Sequence, residues 1–409
     1  MSDMQAALQK ARHKLHNSDK PWTTSPSLTP TPSPSARSTN PISPTHSSIL
    51  PRIDISPFLH PCSSASSRLQ TAQAINAACT TYGFFYLTGH GIPQHQLDSV
   101  ISLARQFFAL PLAEKLKIER FDAGTPQGGD GARGYQRLCT DDDGGGLQDL
   151  QEAVDFYAEW PEDLREEGDA GPGSVKSLQG RNLWPGEPGE LRRVYEEYIK
   201  RVSEVGEALV RAMGEALELE GEGEKGVIEG ACKASFWVLR MIGYPPLPSS
   251  SASSFSSSSG TQEMSGEEGE EEEQQQQQFS CGAHTDYGCV TLLLSDDTPN
   301  ALQIQLKDGT WLNADPVPGA FVVNIGDMIE RWTNGLWKST LHRVIHRTGD
   351  RYRISVPFFY EPNFYAQVAP LETCVKRTGG TRVYESSVYG EHLLTKVFSN
   401  FYYSKRTDW

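Results

Sequence analysis

Residues 289–325 read CVTLLLSDDTPNALQIQLKDGTWLNADPVPGAFVVNI. Four apolar runs, at 289–294, 302–306, 311–314 and 321–325, alternate with stretches rich in Asp, Asn, Pro and Gly. Runs this short, built from branched and aromatic residues and closed off by turn formers, predict strands rather than helices. Asp308-Gly309 falls between the second and third runs and suits a tight hairpin turn. The same signal continues at 339–345 and 353–359, so this half of the chain is expected to form a barrel or a double-sheet jelly roll.

Upstream, Phe236, Val238 and Met241 lead into Tyr244-Pro245-Pro246, a strand running into a turn. Residues 248–278 are a Ser run followed by Glu and Gln. That composition cannot form a packed core and predicts a disordered, solvated insertion between two strands of one domain. Apolar residues from Leu191 to Met213 recur at helical spacing and predict a long supporting helix over 189–219. Helices are also expected over 68–82 and 95–108, with a short one from Ala113, a strand at 84–87 ending in Gly89-His90-Gly91, and a Gly- and Asp-rich loop over 122–146. Residues 1–49 are dominated by Ser, Thr and Pro and read as a disordered tail. The domain reading is therefore 50–188 as an N-terminal region and 189–409 as helix plus β-rich core.

The formal charge of −15 is concentrated: Glu263, Glu267, Glu268 and Glu270 to Glu273 all lie in the predicted insertion. The remainder is mildly acidic and has no basic stripe of the kind nucleic-acid binding needs. The seven cysteines are scattered and contain no C-x-x-C pair, which points to a reducing compartment rather than a disulfide framework. No apolar run approaches the roughly 20 residues of a membrane-spanning helix. The expectation is a cytoplasmic monomer without nucleic-acid or membrane partners. The weakly amphipathic, basic residues 1–20 leave a mitochondrial presequence as the alternative.

His284-Thr285-Asp286 puts an imidazole and a carboxylate two positions apart. On an extended segment both project from one face and can converge on one ion. Two histidines downstream could complete a two-His, one-carboxylate iron site, His342 and His346. Four residues of strand span about 13 Å, so both cannot bind the same metal, and spacing alone leaves the choice open. Arg353 and Ser355 also share a face, where a guanidinium and a hydroxyl can grip a carboxylate. The plainer reading is an Arg on a solvent-facing edge beside a neutral Ser. Structural roles are expected for His90 in its glycine turn and for Asp327 as a turn or capping residue. Glu152 and Asp155 read as surface or loop anchors. Phe358, Phe359 and Tyr360 read as core, with one of them available to line a cavity.

These segments resemble the 2-oxoglutarate- and Fe(II)-dependent dioxygenases of the isopenicillin N synthase-like family. The match runs through His284-Thr285-Asp286-Tyr287-Gly288, Asn324-Ile325-Gly326-Asp327, Trp332-Thr333-Asn334-Gly335, His342-Arg343-Val344 and Arg353-Ile354-Ser355-Val356-Pro357. In the N-terminal part it includes Tyr82-Gly83-Phe84-Phe85 and Gly89-His90-Gly91-Ile92-Pro93. The resemblance implies a mainly β fold with α elements: a double-stranded β-helix (jelly-roll) core with an N-terminal α/β region and supporting helices. It selects His342 as the third ligand, because the family's metal histidine is followed by Arg-Val. It implies Fe(II) on His284, Asp286 and His342, with 2-oxoglutarate held by Arg353, Ser355 and Tyr244. At Ile242 many plant members carry Asn instead. The implied reaction is hydroxylation, desaturation or cyclisation of a small organic molecule with O2, while 2-oxoglutarate is decarboxylated to succinate. The alternatives are an iron oxidase of the same family that needs no 2-oxoglutarate, and a catalytically silent small-molecule-binding protein.

Overall fold

Two sheets face each other, and the metal-ligand candidates lie between them. The computed structural model describes residues 49–121, 130–137, 151–159, 178–246, 279–345 and 351–401. The strands of these two sheets are β1 (Arg52–Asp54), β2 (Phe84–Thr88), β3 (Gly134–Gln136), β4 (Glu152–Tyr157), β5 (Val238–Tyr244), β6 (Phe279–His284), β7 (Val290–Ser295), β8 (Leu302–Gln305), β9 (Trp311–Asn313), β10 (Phe321–Ile325), β11 (His342–Ile345) and β12 (Arg353–Tyr360). The principal helices are α1 (Ala65–Thr81), α2 (Gln94–Phe108), α3 (Leu191–Ala216), α4 (Asp327–Trp332) and α5 (Tyr389–Phe401).

The larger sheet has the order β1-β2-β10-β7-β12-β5-β4-β3, and the smaller one β6-β11-β8-β9. Neighbouring strands that are distant in sequence are what a double-stranded β-helix produces, as the resemblance implied. The N-terminal region is hydrogen-bonded into the same sheet as the C-terminal strands, with Phe84 opposite Asn324 and Leu87 opposite Phe321. Both regions also share one apolar core, in which Phe85, Tyr195, Leu292 and Phe358 are essentially inaccessible to solvent.

The long helix forms where its spacing predicted. Leu191, Val194, Tyr195, Tyr198, Val202, Val205, Leu209 and Met213 make its buried face, and Tyr195 anchors it by donating to the Val100 carbonyl at 3.0 Å. Burying each such side chain contributes roughly 1.5–3 kcal/mol before conformational entropy is subtracted. The hairpin at Asp308-Gly309 is present: β8 and β9 pair across it, and Gly309 has φ +87°. Among the described residues no helix is long and apolar enough to cross a membrane.

Three expectations need correction. The 339–345 run is a strand only from His342, because the backbone before it is held elsewhere. Ser339 N donates to Glu330 at 2.8 Å, and the Thr340 hydroxyl donates to the Tyr82 carbonyl at 2.8 Å. The loop expected over 122–146 contains β3, while 122–129 and 138–146 lie outside the described residues. Glu152 and Asp155 are neither surface nor loop residues: they sit on β4, a six-residue strand buried throughout between β3 and β5. Two acids in that run mask its strand signal, and each is neutralised by a partner supplied from afar. Lys115 Nζ lies 2.7 Å from Glu152, and Arg240 Nε lies 2.9 Å from Asp155. The predicted tail, the insertion at 248–278 and His346 fall outside the described residues or almost wholly so.

Candidate metal and cosubstrate site

His284 closes β6 and His342 opens β11, and the antiparallel register makes the two direct partners. Asp286 follows His284 by two residues and turns back between the rings. Its Oδ1 lies 3.9 Å from His284 Nε2 and 3.7 Å from His342 Nε2. Donor atoms of all three residues fall within 4.8 Å of one another.

Each donor is oriented by a second contact. His284 Nδ1 lies 2.8 Å from the Gly282 carbonyl and His342 Nδ1 3.0 Å from the Thr340 carbonyl. Both Nδ1 atoms therefore carry the proton in the neutral ring, leaving both Nε2 lone pairs aimed inward. Asp286 Oδ2 accepts from the Thr291 hydroxyl at 2.5 Å and from Asn324 Nδ2 at 2.6 Å, which leaves Oδ1 for a metal. The loop behind Asp286 is clamped by the start of α4: Asp327 N donates to the Asp286 carbonyl at 2.8 Å and Met328 N to the Gly288 carbonyl at 2.9 Å. A side chain at Gly326 would come within 2.4 Å of the Gly288 carbonyl, so this close approach requires glycine.

Burial, opposed by Asp286 and reinforced by His284, holds His342 below the ordinary imidazole range. At His284 burial also acts downward, but Cys281, whose Sγ is 3.6 Å from Nδ1, and Asp286 outweigh it and raise the group to about 10. Metal binding must displace that proton, so occupancy is linked to pH. Two imidazole nitrogens and one carboxylate oxygen on one face fit Fe(II) with open positions opposite.

A cavity of about 100 Å³ leads away from the triad between the sheets. Arg353, Ser355 and Tyr244 line its far end, and Ile242, Leu293 and Val344 are among its apolar walls. Arg353 and Tyr244 are register partners on β12 and β5, with the guanidinium carbon 4.6 Å from the ring centre. The Ser355 hydroxyl is 3.4 Å from that of Tyr244. Arg353 is buried, and its Nε and Nη1 have no hydrogen-bond partner. A buried guanidinium with unsatisfied donors fits an incoming carboxylate, and the solvent-edge reading of Arg353 is ruled out. Ile242, the register partner of Ser355, presents an apolar side chain to this cavity.

A second cavity, of about 140 Å³, opens on the other side of His284 and Asp286. Tyr157, Tyr287, Phe359, Glu361 and Tyr389 contribute to its wall, together with Asp155 and the two arginines that face it, Arg240 at 2.9 Å and Arg120 at 3.9 Å. Phe359 lines both cavities, as do Arg240, His284 and Asp286, and lining a cavity is what was expected of one aromatic of its group. Burial and the charges of Asp286 and Asp327 push Glu361 up to about 8, against hydrogen bonds from Cys289 N and Tyr389. His90 is structural as expected, with Nε2 3.1 Å from the Gly319 carbonyl and Nδ1 accepting from Ile92 N. Asp327 opens α4 and binds His392 Nε2 at 3.4 Å, tying α5 to the site.

Sequence models agree with this geometry. The N-terminal model of the non-haem dioxygenases of morphine synthesis matches residues 50–187, and the 2OG-Fe(II) oxygenase superfamily model matches 266–362. A homoarginine-6-hydroxylase from Oryza sativa subsp. japonica is 39% identical, covering 86% of this chain and 97% of its own. The chain belongs to the 2-oxoglutarate- and Fe(II)-dependent dioxygenases. A second homoarginine-6-hydroxylase, from Glycine max, is 40% identical over 87% of this chain and 98% of its own. The fold recurs in a 2OG-Fe(II) oxygenase family protein from Caulobacter crescentus, with TM-score 0.66, 25% identity and coverage of 86% and 99%. It recurs too in a full-length Neurospora crassa protein in complex with alpha-KG, with TM-score 0.65, 24% identity and coverage of 87% and 97%. As a member of this family the protein is an enzyme that uses Fe(II), 2-oxoglutarate and O2 to oxidise a small molecule, which sets aside the oxidase and silent-binder alternatives.

Sequence reasoning gave no role to Thr291, Asn324, Phe359 or Glu361 individually. Asn324 stands in the quoted Asn-Ile-Gly-Asp segment, and only its opposition to Asp286 reveals what it does. Glu361 lies one step past β12, where alternation along the strand was the available signal.

Proposed function

We propose that this dioxygenase hydroxylates a cationic amino acid of the homoarginine type. The observation that carries the reading is the second cavity, where a buried carboxyl group, Glu361, stands beside His284 and Asp286 among tyrosine side chains, while the two arginines on the same lining, Arg120 and Arg240, are turned to Asp155. The four homoarginine-6-hydroxylases at 38–40% identity over nearly their whole lengths support it. In homoarginine the carbon at position 6 bears the guanidino nitrogen, so a site for its oxidation must hold a cation close to the metal.

In this reading His284, Asp286 and His342 hold Fe(II) through Nε2, Oδ1 and Nε2. Fe(II), when bound, supplies the oxygen-activating redox chemistry. Arg353 pairs with the far carboxylate of 2-oxoglutarate, while Ser355 and Tyr244 donate to it and fix its orientation. Asn324 and Thr291 keep Asp286 Oδ1 turned to the metal. Ile242, Leu293 and Val344 exclude water from the cosubstrate. The balanced reaction takes substrate, 2-oxoglutarate and O2 to hydroxylated substrate, succinate and CO2.

The chain is further proposed to act as a cytoplasmic monomer without nucleic-acid or membrane partners. Seven scattered cysteines without a C-x-x-C pair support a reducing compartment. The test of the main reading is turnover with Fe(II), 2-oxoglutarate and O2 against a panel of cationic, neutral and acidic amino acids. Homoarginine, arginine or lysine should raise succinate formation and yield a product heavier by one oxygen or, where the hydroxylated carbon bears the nitrogen, the aldehyde and the guanidine or ammonia into which that carbinolamine breaks down. Failure of all three to do so while a neutral or acidic compound succeeds rejects the substrate class.

A further inference from the structure

Five carboxylate side chains are buried among the described residues: Glu152, Asp155, Asp286, Asp296 and Glu361. Three of them face a basic side chain. Glu152 meets Lys115 at 2.7 Å, Asp155 meets Arg240 at 2.9 Å, and Asp296 meets Arg105 at 2.7 Å. Asp286 faces the two histidines with which it shares a metal site. Glu361 is 4% exposed, and among the described residues no Lys, Arg or His pairs with it. Its Oε2 accepts from Cys289 N at 3.1 Å and its carboxyl bonds Tyr389, neither of which brings a charge.

The buried basic side chains follow the same rule. Lys115 pairs with Glu152 and Arg133 with Asp130, while Arg353 lacks an acidic partner. Burying a charge without a counter-charge costs several kcal/mol, so burial favours the protonated Glu361 carboxyl until a ligand brings a positive charge to it. Arg353 awaits a carboxylate and Asp286 a metal. Glu361 is the third case.

Position strengthens the point. Strand alternation sets Arg353, Ser355, Pro357, Phe359 and Glu361 on one face. The first four line the cosubstrate cavity and the last two the second cavity. One strand thus presents a cation at one end and an acid at the other, on opposite sides of the metal triad. The Glu361 carboxyl also fills the space a side chain at residue 288 would occupy, since a Cβ on Gly288 would fall 1.0 Å from Oε2. Gly288 lies two residues after the metal-ligand candidate Asp286, so the acid is held against the metal loop.

We infer that Glu361 receives the positively charged group of the substrate and sets the enzyme's preference for a cationic over a neutral side chain. The inference rests on the homoarginine-type reading above and deepens it. A guanidinium suits the site, because its paired N–H donors match a carboxylate in one plane.

The test compares homoarginine with homocitrulline, its neutral isostere of equal length. Binding to full-length enzyme loaded with Fe(II) and 2-oxoglutarate is measured anaerobically by calorimetry, and KM and kcat are measured in air. Wild-type enzyme should prefer homoarginine on the order of a hundredfold. Glu361→Gln should remove most of that preference, with the loss appearing mainly in KM, while Glu361→Asp, which keeps the charge, should weaken binding and retain the preference. Circular dichroism and melting curves verify that both variants fold, and if the Gln variant does not, the Asp variant alone decides by whether binding weakens. Wild-type binding of homoarginine with the same affinity and charge preference in the folded variants overturns the role of Glu361 alone. Failure of the wild-type enzyme to bind or turn over any cationic amino acid overturns the substrate reading itself.

Discussion

His284 and His342 are direct register partners across the antiparallel β6–β11 pair, with ring centres 4.3 Å apart. Backbone pairing therefore sets the ligand spacing, and Asp286 adds its Oδ1 between the rings. Replacing one ring removes a ligand without loosening the ladder. His342→Ala should lower Fe(II) content on anaerobic dialysis to near background while leaving the far-UV circular dichroism spectrum unchanged. Retention of stoichiometric iron would reject His342 as a ligand.

The orientation of Asp286 depends on Asn324 and Thr291. Asn324→Ala frees one bond to Oδ2, lets the carboxylate rotate, and should weaken Fe(II) affinity roughly 10- to 100-fold. The measurement is an Fe(II) titration. Equal affinity in variant and wild type would show that Thr291 alone is sufficient.

At the other end of the cavity that leads from the triad, Arg353 has unsatisfied donors and Tyr244 beneath its guanidinium. Arg353→Gln should weaken 2-oxoglutarate binding by about 2–5 kcal/mol. Arg353→Lys should recover part of that, because it restores the charge but not the paired geometry. An unchanged KM for 2-oxoglutarate in both variants would place the cosubstrate elsewhere.

Stability has a separate weak point at β4. Glu152 receives Lys115 Nζ, and the hydroxyls of Tyr135 and Tyr352 donate to it at 2.5 and 2.6 Å. Glu152→Ala leaves the Lys115 ammonium buried and unpaired, and should cost about 3–5 kcal/mol in denaturant unfolding. Lys115→Met combined with Glu152→Gln should recover much of that. A double variant no more stable than Glu152→Ala argues against charge burial as the cause.

Acid sensitivity is expected at His90. Burial lowers its pKa from 6.5, outweighing the Gly319 carbonyl, and Nδ1 must stay unprotonated to accept from Ile92 N. Because the folded state binds this proton more weakly than the unfolded chain, the contribution is present above about 6.5 and is lost as pH falls through the lower folded value. Wild-type Tm should therefore drop more steeply than that of His90→Gln between about pH 7.5 and about pH 5. Parallel slopes would remove His90 from the acid response.

Local chemistry was enough to anticipate the β-rich half, the long helix and the hairpin at Asp308-Gly309, because strand alternation, helical spacing and turn residues act over a few positions. It also brought His284 and Asp286 together, since period-two geometry relates residues two apart. Choosing His342 over His346 needed either the family's Arg-Val pattern or the β6–β11 register, since nothing local fixes which residues of distant strands meet. The same limit hid β4, whose acids look solvent-facing until Lys115, Arg240 and two tyrosines arrive from other parts of the chain. What tertiary structure alone decided is which buried charges are answered within the protein and which are not. That sum runs over every element packed around a site, and it singles out Arg353, Asp286 and Glu361 as buried ionisable groups without a fixed counter-charge among the described residues.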